Sequence, residues 1–394
     1  MATVDYDVVI IGGGIHGCGI AQAAAAAGYS VLVLEETALA AGTSSKSSKL
    51  IHGGLRYLET AQFSLVREAL HERERLLKLA PDLVHRIDFY IPVYHQTKRS
   101  PWQIRIGLSI YAIFAGMAPE VRFTTVPRSQ WENLGGINTD GLLKVFRYQD
   151  AQTDDAALTR AVMQSAISLG TELQCPIRFI SASREDAAYK VSYLHNEEEY
   201  QVNCRVLINA GGPWANDVLD RVTPAVDKRA VDLVQGTHII VDQPMHQGVF
   251  FVEAPRDRRP VLFIPWHGHT LIGTTETMYT GDPAEVHPLQ EEIDYLLETT
   301  HHYFPSYAGT VIDSFAGLRV LPKAEGAAFY RSRETMIHWH GGPDSRLVTI
   351  YGGKLTTYRA TAEKVISQVK QRLGARPPKG DTRNISLHRI APTE

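Results

Sequence analysis

The first forty residues alternate between apolar runs and small residues in a way that already specifies a fold unit. Asp7 to Ile11 (DVVII) is β-branched and has no polar position after its first residue, the pattern of a strand buried on both faces of a parallel sheet. Glycines follow, and Ile15 to Ala27 is then dominated by alanine, glycine and cysteine, which predicts a helix able to lie close against the sheet and to stop at Gly28. Tyr29 to Glu35 (YSVLVLE) predicts a second strand. Together these make a βαβ unit with a right-handed crossover.

Downstream, Gly42 to Gly54 is rich in serine, lysine and glycine, too polar for a core segment, and is where function is expected. Phe63 to Leu79 carries Phe63, Val66, Leu70, Leu76 and Leu77 among charges and predicts an amphipathic helix ending before Pro81. Residues 86 to 150 hold aromatics, prolines and short segments without a second nucleotide motif. Within them Ile104 to Ala118 is apolar but shorter than the roughly 20 residues a spanning helix needs, so a buried or half-buried helix is favoured over a membrane-surface one. Asp155 to Leu169 predicts a helix, and Arg205 to Ala210 (RVLINA) a strand running into the turn Gly211-Gly212-Pro213-Trp214. From Ala230 onward, Thr237 to Val241, Val249 to Val252, Val261 to Pro265 and Leu271 to Thr275 are short strands separated by polar turns, which implies an antiparallel sheet. Leu289 to Phe304 predicts a helix, and Leu347 to Ile350 a strand leading through Gly352-Gly353 to a helix from Leu355 to about Leu373.

The expected class is therefore α/β, or α+β overall. A Rossmann-type nucleotide domain would be assembled from residues 1–85, 150–230 and 340–394, and a substrate domain on an antiparallel sheet from 86–149 and 231–339. The 394 residues are enough for two coupled cores. A net charge of -3 gives no global basic field, so no nucleic-acid partner is expected. Cys18, Cys175 and Cys204 lie far apart with no CxxC pair, which predicts neither a metal knuckle nor a disulfide framework. With no basic, cleavable leader before the first strand, a reduced cytoplasmic setting is expected.

Gly12, Gly14 and Gly17 form GxGxxG between a predicted strand and helix, and Glu35 ends the second strand about 20 residues on. The glycines let the backbone approach a pyrophosphate, the helix N-terminus offers amide donors and partial positive charge, and the carboxylate suits a ribose hydroxyl. FAD and NAD fit equally well.

Gly42 to Glu59 (GTSSKSSKLIHGGLRYLE) separates them. This block resembles the FAD-dependent glycerol-3-phosphate dehydrogenases. The resemblance continues through Leu65 to Ala80, Ile104 to Tyr111, Asn209 to Trp214, Gly236 to Val241, Ile264 to Glu276, Gly317 to Leu321 and Tyr351 to Arg359 (YGGKLTTYR). It implies FAD as cofactor, glycerol 3-phosphate as substrate, a quinone as electron acceptor, and a peripheral contact with the inner face of the cytoplasmic membrane. Two features depart from the family pattern. Arg319-Val320-Leu321 stands where arginine-proline-leucine is usual, and the chain ends where a further helical domain is usual, which leaves acceptor and assembly less defined than the flavin chemistry.

The resemblance assigns cofactor contacts to Thr43, Ser44, Ser45, Ser48, Lys49, Leu50, His52, Gly53, Gly54, Ala210, Gly211, Trp214, Gly353, Lys354, Leu355 and Thr356. The serines and lysines would otherwise be a solvated loop. Arg56, Arg319 and Arg333 are guanidinium forks suited to a phosphate, with structural ion pairs as the bland alternative. His238 sits in an apolar strand, where a lone histidine is ordinarily a satisfied core residue. The resemblance places it at the flavin instead, as a base for the substrate hydroxyl. Tyr57 would bond substrate or pack, and Lys354, at a helix start, would counter negative charge on the reduced ring. His16 reads as a solvent-side variant position. Two other functions share these features: an FAD-dependent oxidase of amino or 2-hydroxy acids, and a flavin-binding protein without turnover.

Overall fold

In the computed structural model, which describes residues 4–117, 122–323, 334–342 and 344–390, the leading apolar run forms the strand Tyr6–Ile11. Its alternate side chains enter two cores: Val8 and Ile10 pack with the helices on one face, Val9 and Ile11 with a hairpin on the other. Burial on both faces is why no polar residue interrupts it. The strand is central to five parallel strands, in the order Leu347–Tyr351, Glu198–Asn209, Tyr6–Ile11, Val31–Leu34 and Thr171–Gln174. Met336–Trp339 adds antiparallel to the outer edge. The hairpin Arg178–Glu185 with Ala188–His195 extends from the N-terminal part of Glu198–Asn209.

Helices α1 (Ile15–Ala26), α4 (Asp155–Ser168) and α7 (Tyr358–Leu373) cover one face of this sheet. Helix α2 (Phe63–Leu79) lies outside them, α3 (Pro101–Phe114) rests on α2, and α5 (Ala215–Asp220) packs in the opposite core. The C-terminal helix begins with a 3-10 turn, Leu355–Thr357, before α7 proper. In α3, Leu108, Tyr111 and Ala112 are buried while Trp102, Ile106 and Ile113 are exposed, so it is half-buried.

The second sheet runs Thr277–Tyr279, Val231–Val241, His269–Gly273, Pro260–Trp266, Val249–Glu253, Val84–Tyr94, Leu142–Thr153 and Leu50–Ile51, with Val311–Pro322 also paired to Val231–Val241 and α6 (Gln290–Tyr303) packed behind it. It is antiparallel except at one joint, where Val249 and Phe250 pair parallel to Phe89 and Tyr90. Two of its longest strands, Val84–Tyr94 and Leu142–Thr153, lack a clean alternation. They carry buried or half-buried polar residues such as Asp150 and Gln152, which are partnered across the structure rather than turned to water.

Buried ion pairs lock the helical layer. Arg359 on α7 grips Glu72 on α2 through Nε and Nη2 at 2.7 and 2.6 Å, with both side chains under 5% exposed. Removing one partner leaves charge stranded in low dielectric. Glu72→Ala is therefore expected to lower the unfolding free energy by about 3–5 kcal/mol, read as a shifted urea midpoint. A midpoint unchanged at equal slope would mean that Glu363, the other carboxylate on Arg359, suffices alone.

Candidate active site

The glycine turn is a steric fit between three backbone segments. Gly12 has φ +106°, and a Cβ there would lie 2.6 Å from the Ala210 carbonyl oxygen. A Cβ on Gly17 would lie 1.9 Å from the Gly12 oxygen. Only hydrogen fits at either position. The turn is also braced by side chains: the Glu35 carboxylate accepts from Gly13 N at 2.6 Å and from Thr37 N at 3.0 Å, and Ser44 Oγ accepts from Ile15 N at 2.9 Å. Gly14, Glu35 and Ser44 nevertheless all border the large cavity beside the turn.

The serine-lysine block divides into supports and lining. Lys49 is buried, with its ammonium 2.6 Å from Asp155, which also accepts from the Ser47 hydroxyl. Gly53 N bonds Tyr111 Oη at 2.8 Å, and that tyrosine donates to Asp150, which pairs with buried Arg73. Lys49, Gly53, Ser45 and Gly17 thus hold the backbone, and none of them borders the cavity. Thr43, Ser44, Ser48, Leu50, His52 and Gly54 do. So do Gly12, Ala210, Gly211, Trp214, Gly353, Leu355 and Thr356. Thr43 is fixed by donating to the Leu318 carbonyl at 2.8 Å.

Arg56, Tyr57 and Lys354 meet in one place. The Lys354 ammonium sits 3.7 Å from the centroid of the Tyr57 ring, and the Arg56 guanidinium carbon 5.1 Å from it. Gly54, at φ +76°, admits this stack, since a Cβ there would strike the Tyr57 ring at 2.4 Å. Two cations on one ring gain from its π-face and raise the local positive charge.

A second cluster surrounds Phe315. His238 stacks on its ring at 5.0 Å and 18°, while the Lys46 and Lys49 ammonium groups lie 5.5 and 5.2 Å from its centroid. His238 Nε2 is 2.9 Å from Ser48 Oγ. Its Nδ1 has no hydrogen-bond partner among the described residues. Burial first, then the Arg319 and Lys49 charges, push this imidazole down to about 3, so it is neutral at physiological pH. Arg319, on Val311–Pro322, is aimed by Thr274 Oγ1 at 2.9 Å, and Gly236 across the strand pair is bare because a Cβ would lie 2.4 Å from its Nη2. Behind it, Glu292 on α6 accepts from the hydroxyls of Thr237, Thr275 and Thr277 and from the Gln235 amide. Burial alone would raise this carboxyl; the donors outweigh burial and hold it below its ordinary range.

The cavity, about 1480 Å³, is lined both by Glu35, Glu36 and Thr37 at the glycine turn and by His238, Arg319, Arg56, Tyr57 and Lys354. That exceeds the roughly 300–1,000 Å³ of a single small-ligand site, and matches a dinucleotide with room for a substrate. Arg333 lies outside the described residues. His16 departs from its expected place: both ring nitrogens are buried without a partner among the described residues, Nε2 would be 2.2 Å from a Cβ on Gly353, and burial lowers it to about 4. The ring nitrogens turn toward the Gly352-Gly353 turn, while the residue as a whole is half-buried at the cavity edge. Thr274 and Thr275 contact Arg319, and Glu292 holds the Thr275 hydroxyl, but the sequence marks none of the three. Scattered threonines and one glutamate on an amphipathic helix carry no local pattern.

The signature of the FAD dependent oxidoreductase family matches residues 7–359. The chain belongs to this family. It is 37% identical over 373 residues to the aerobic glycerol-3-phosphate dehydrogenase of Escherichia coli (strain K12), covering 92% of this chain and 73% of that one. It is 35% identical, over 92% of this chain and 73% of the relative, to the D-erythritol 1-phosphate dehydrogenase of Brucella abortus (strain 2308). Among solved structures it is similar to the glycerol-3-phosphate dehydrogenase from Bacillus halodurans complexed with FAD. That match has a TM-score of 0.78 and 27% identity, and covers 97% of this chain and 67% of that one. The glycine cradle at Gly12, Gly14 and Gly17, the cavity beside it and the cationic pair Arg56–Lys354 fit FAD.

Because folded His238 titrates near 3 and its unfolded form near 6.5, the unfolded chain binds the extra proton between these values. The stability it contributes is fully present above pH 6.5 and is lost as pH falls toward 3. His238→Asn is expected to flatten the fall of the urea midpoint across that window in apoprotein. A slope equal to that of the unsubstituted chain would mean that the buried imidazole is charged.

Proposed function

We propose that this chain oxidises glycerol 3-phosphate to dihydroxyacetone phosphate. The observation that carries the reading is the convergence on one cavity of His238, held by Ser48, with Arg319, held by Thr274, and Arg56. FAD, when bound, would supply the two-electron acceptor for the hydride that leaves C2. Arg319, fixed by Thr274, and Arg56, stacked by Tyr57, bind the phosphate oxygens and thereby orient the carbinol. Arg333 belongs to the same proposed phosphate set. His238 takes the hydroxyl proton as the carbonyl forms, with Ser48 setting which ring nitrogen is available. Lys354 balances the negative charge that arrives on the cofactor side. Gly12 and Gly14 with the α1 N-terminus would hold the pyrophosphate and Glu35 the ribose, while Gly17 keeps the helix close against the Gly12 turn.

The Brucella relative favours a second reading of the same chemistry, in which a longer polyol phosphate is the substrate. Anaerobic titration of the flavin-loaded protein separates the two. Glycerol 3-phosphate is expected to bleach the visible flavin band at lower concentration than erythritol 1-phosphate, and glycerol without phosphate to leave it unchanged. Equal bleaching by glycerol would remove the arginines from the argument. Arg319→Ala is expected to raise the glycerol 3-phosphate concentration for half-bleaching at least about tenfold, as loss of a charge-assisted contact implies, while flavin content is retained.

We further propose a quinone as the electron acceptor and a peripheral membrane contact. Among the described residues no helix is long and apolar enough to cross a membrane. Trp102, Ile106, Ile113 and Met117 form one exposed row along α3 and its C-terminal turn, at spacings of four and seven, and exposed Phe63 packs edge-on against Phe114 beside it. A tryptophan-led apolar row lying in an interface supports this contact. Trp102→Ser with Ile113→Ser is expected to abolish cosedimentation with phospholipid vesicles without altering bleaching by glycerol 3-phosphate. Undiminished sedimentation would place the contact elsewhere.

A further inference from the structure

Outside the cavity, three potential metal ligands converge. Asp227, His338 and His340 present ligand atoms that all lie within 4.8 Å of one another. His338 Nε2 is 2.6 Å from Asp227 Oδ2, and His340 Nδ1 is 3.3 Å from Asp227 Oδ1. None of the three borders the flavin cavity. We infer that Asp227, His338 and His340 form a binding site for one divalent transition ion such as zinc, which would tie two separate segments together.

The two histidines are at i and i+2, at the end of the strand Met336–Trp339, so both rings project from one side. The rings pack edge-on at 4.5 Å. His340 is the better-built ligand. It is 4% exposed, and its Nε2 lies 2.9 Å from Thr349 Oγ1 on the neighbouring strand. That hydroxyl fixes the ring as second partners of metal-bound histidines do. If Nε2 donates to Thr349, the lone pair on Nδ1 faces a carboxylate oxygen, an arrangement a cation between them stabilises. Two imidazoles and one carboxylate suit zinc, copper or nickel over magnesium or calcium, which prefer oxygen donors. The largely exposed Asp227 leaves the remaining coordination positions to water.

One neighbour opposes the ion. Arg229 donates to His338 Nδ1 from Nε at 3.2 Å and from Nη2 at 3.1 Å. A neutral histidine coordinating through Nε2 carries its proton on Nδ1 and can no longer accept there. Metal binding must therefore displace the Arg229 side chain, and also overcome its charge. This competition gives the site a signature that an incidental surface cluster lacks: removal of a residue that is not a ligand should tighten binding.

The site would act as a clamp. Asp227 lies between Val222–Thr223 of the first sheet and Val231–Val241 of the second, on the segment by which the chain crosses between them. His338 and His340 lie on the hairpin that returns through Leu347–Tyr351 to the Gly352-Gly353-Lys354 turn. An ion there would join the crossover to the hairpin.

The test is zinc titration of the chelator-treated, flavin-loaded chain, followed by calorimetry, with thermal unfolding as the second readout. One zinc per chain with a raised Tm is expected. His340→Ala and Asp227→Asn should each weaken binding at least about tenfold, and Arg229→Ala should tighten it, with flavin content unchanged in all three. Asp227 and Arg229 are surface side chains, so their variants report even if His340→Ala fails to fold. The proposal is overturned if the unsubstituted chain binds no zinc, if Asp227→Asn binds as tightly as the parent, or if Arg229→Ala binds more weakly.

Discussion

Everything at the nucleotide side rests on two places where there is no room for a methyl group. The Gly12 backbone touches Ala210 from the neighbouring strand, and Gly17 in the first turn of α1 touches Gly12. Strand, turn and helix are thereby held closer than side chains allow, which brings the helix N-terminus to the cavity wall. The alanine row of α1 continues the close approach, so that α4 and α7 can pack onto the same helix. A larger side chain would move the donor end of the helix away from any bound anion, and would separate the sheet from its helical layer.

Around that contact, polar groups are placed where burial magnifies them. Lys49 with Asp155, Arg73 with Asp150 and Tyr111, and Arg359 with Glu72 are nearly closed to water; the first two fix backbone segments next to the cavity and the third joins α7 to α2. Such pairs contribute little net stability relative to well-packed apolar side chains, but breaking one is costly. Their evident use here is positional: the Ser47–Gly54 backbone cannot shift without stranding a charge. The same desolvation, with the nearby Arg319 and Lys49 charges, holds His238 neutral among fixed cations.

The parts of the molecule governed by local pattern were legible in the sequence. The glycine spacing, the DVVII run and the helix from Phe63 to Leu79 each follow from periodicity or from a steric requirement confined to a few residues. The serine-lysine block could be recognised as functional, yet which members line the cavity and which brace it depends on Asp155 and Asp150, about a hundred residues away. His16 shows the same limit: its inward direction is set by the Gly353 turn, which arrives from the other end of the chain. The long strands Val84–Tyr94 and Leu142–Thr153 hide because Asp150 and Gln152 find buried partners, so burial there does not imply an apolar residue.

Glu292 has a wider consequence. Its two carboxylate oxygens take hydrogen bonds from three threonines and a glutamine drawn from neighbouring strands, behind the histidine and the arginine of the site. Change at any one of these positions strands donors or acceptors at the others, so their effects cannot add. Substitutions tolerated there are therefore expected to come in concerted sets, whereas single changes fall more freely on side chains outside this knot.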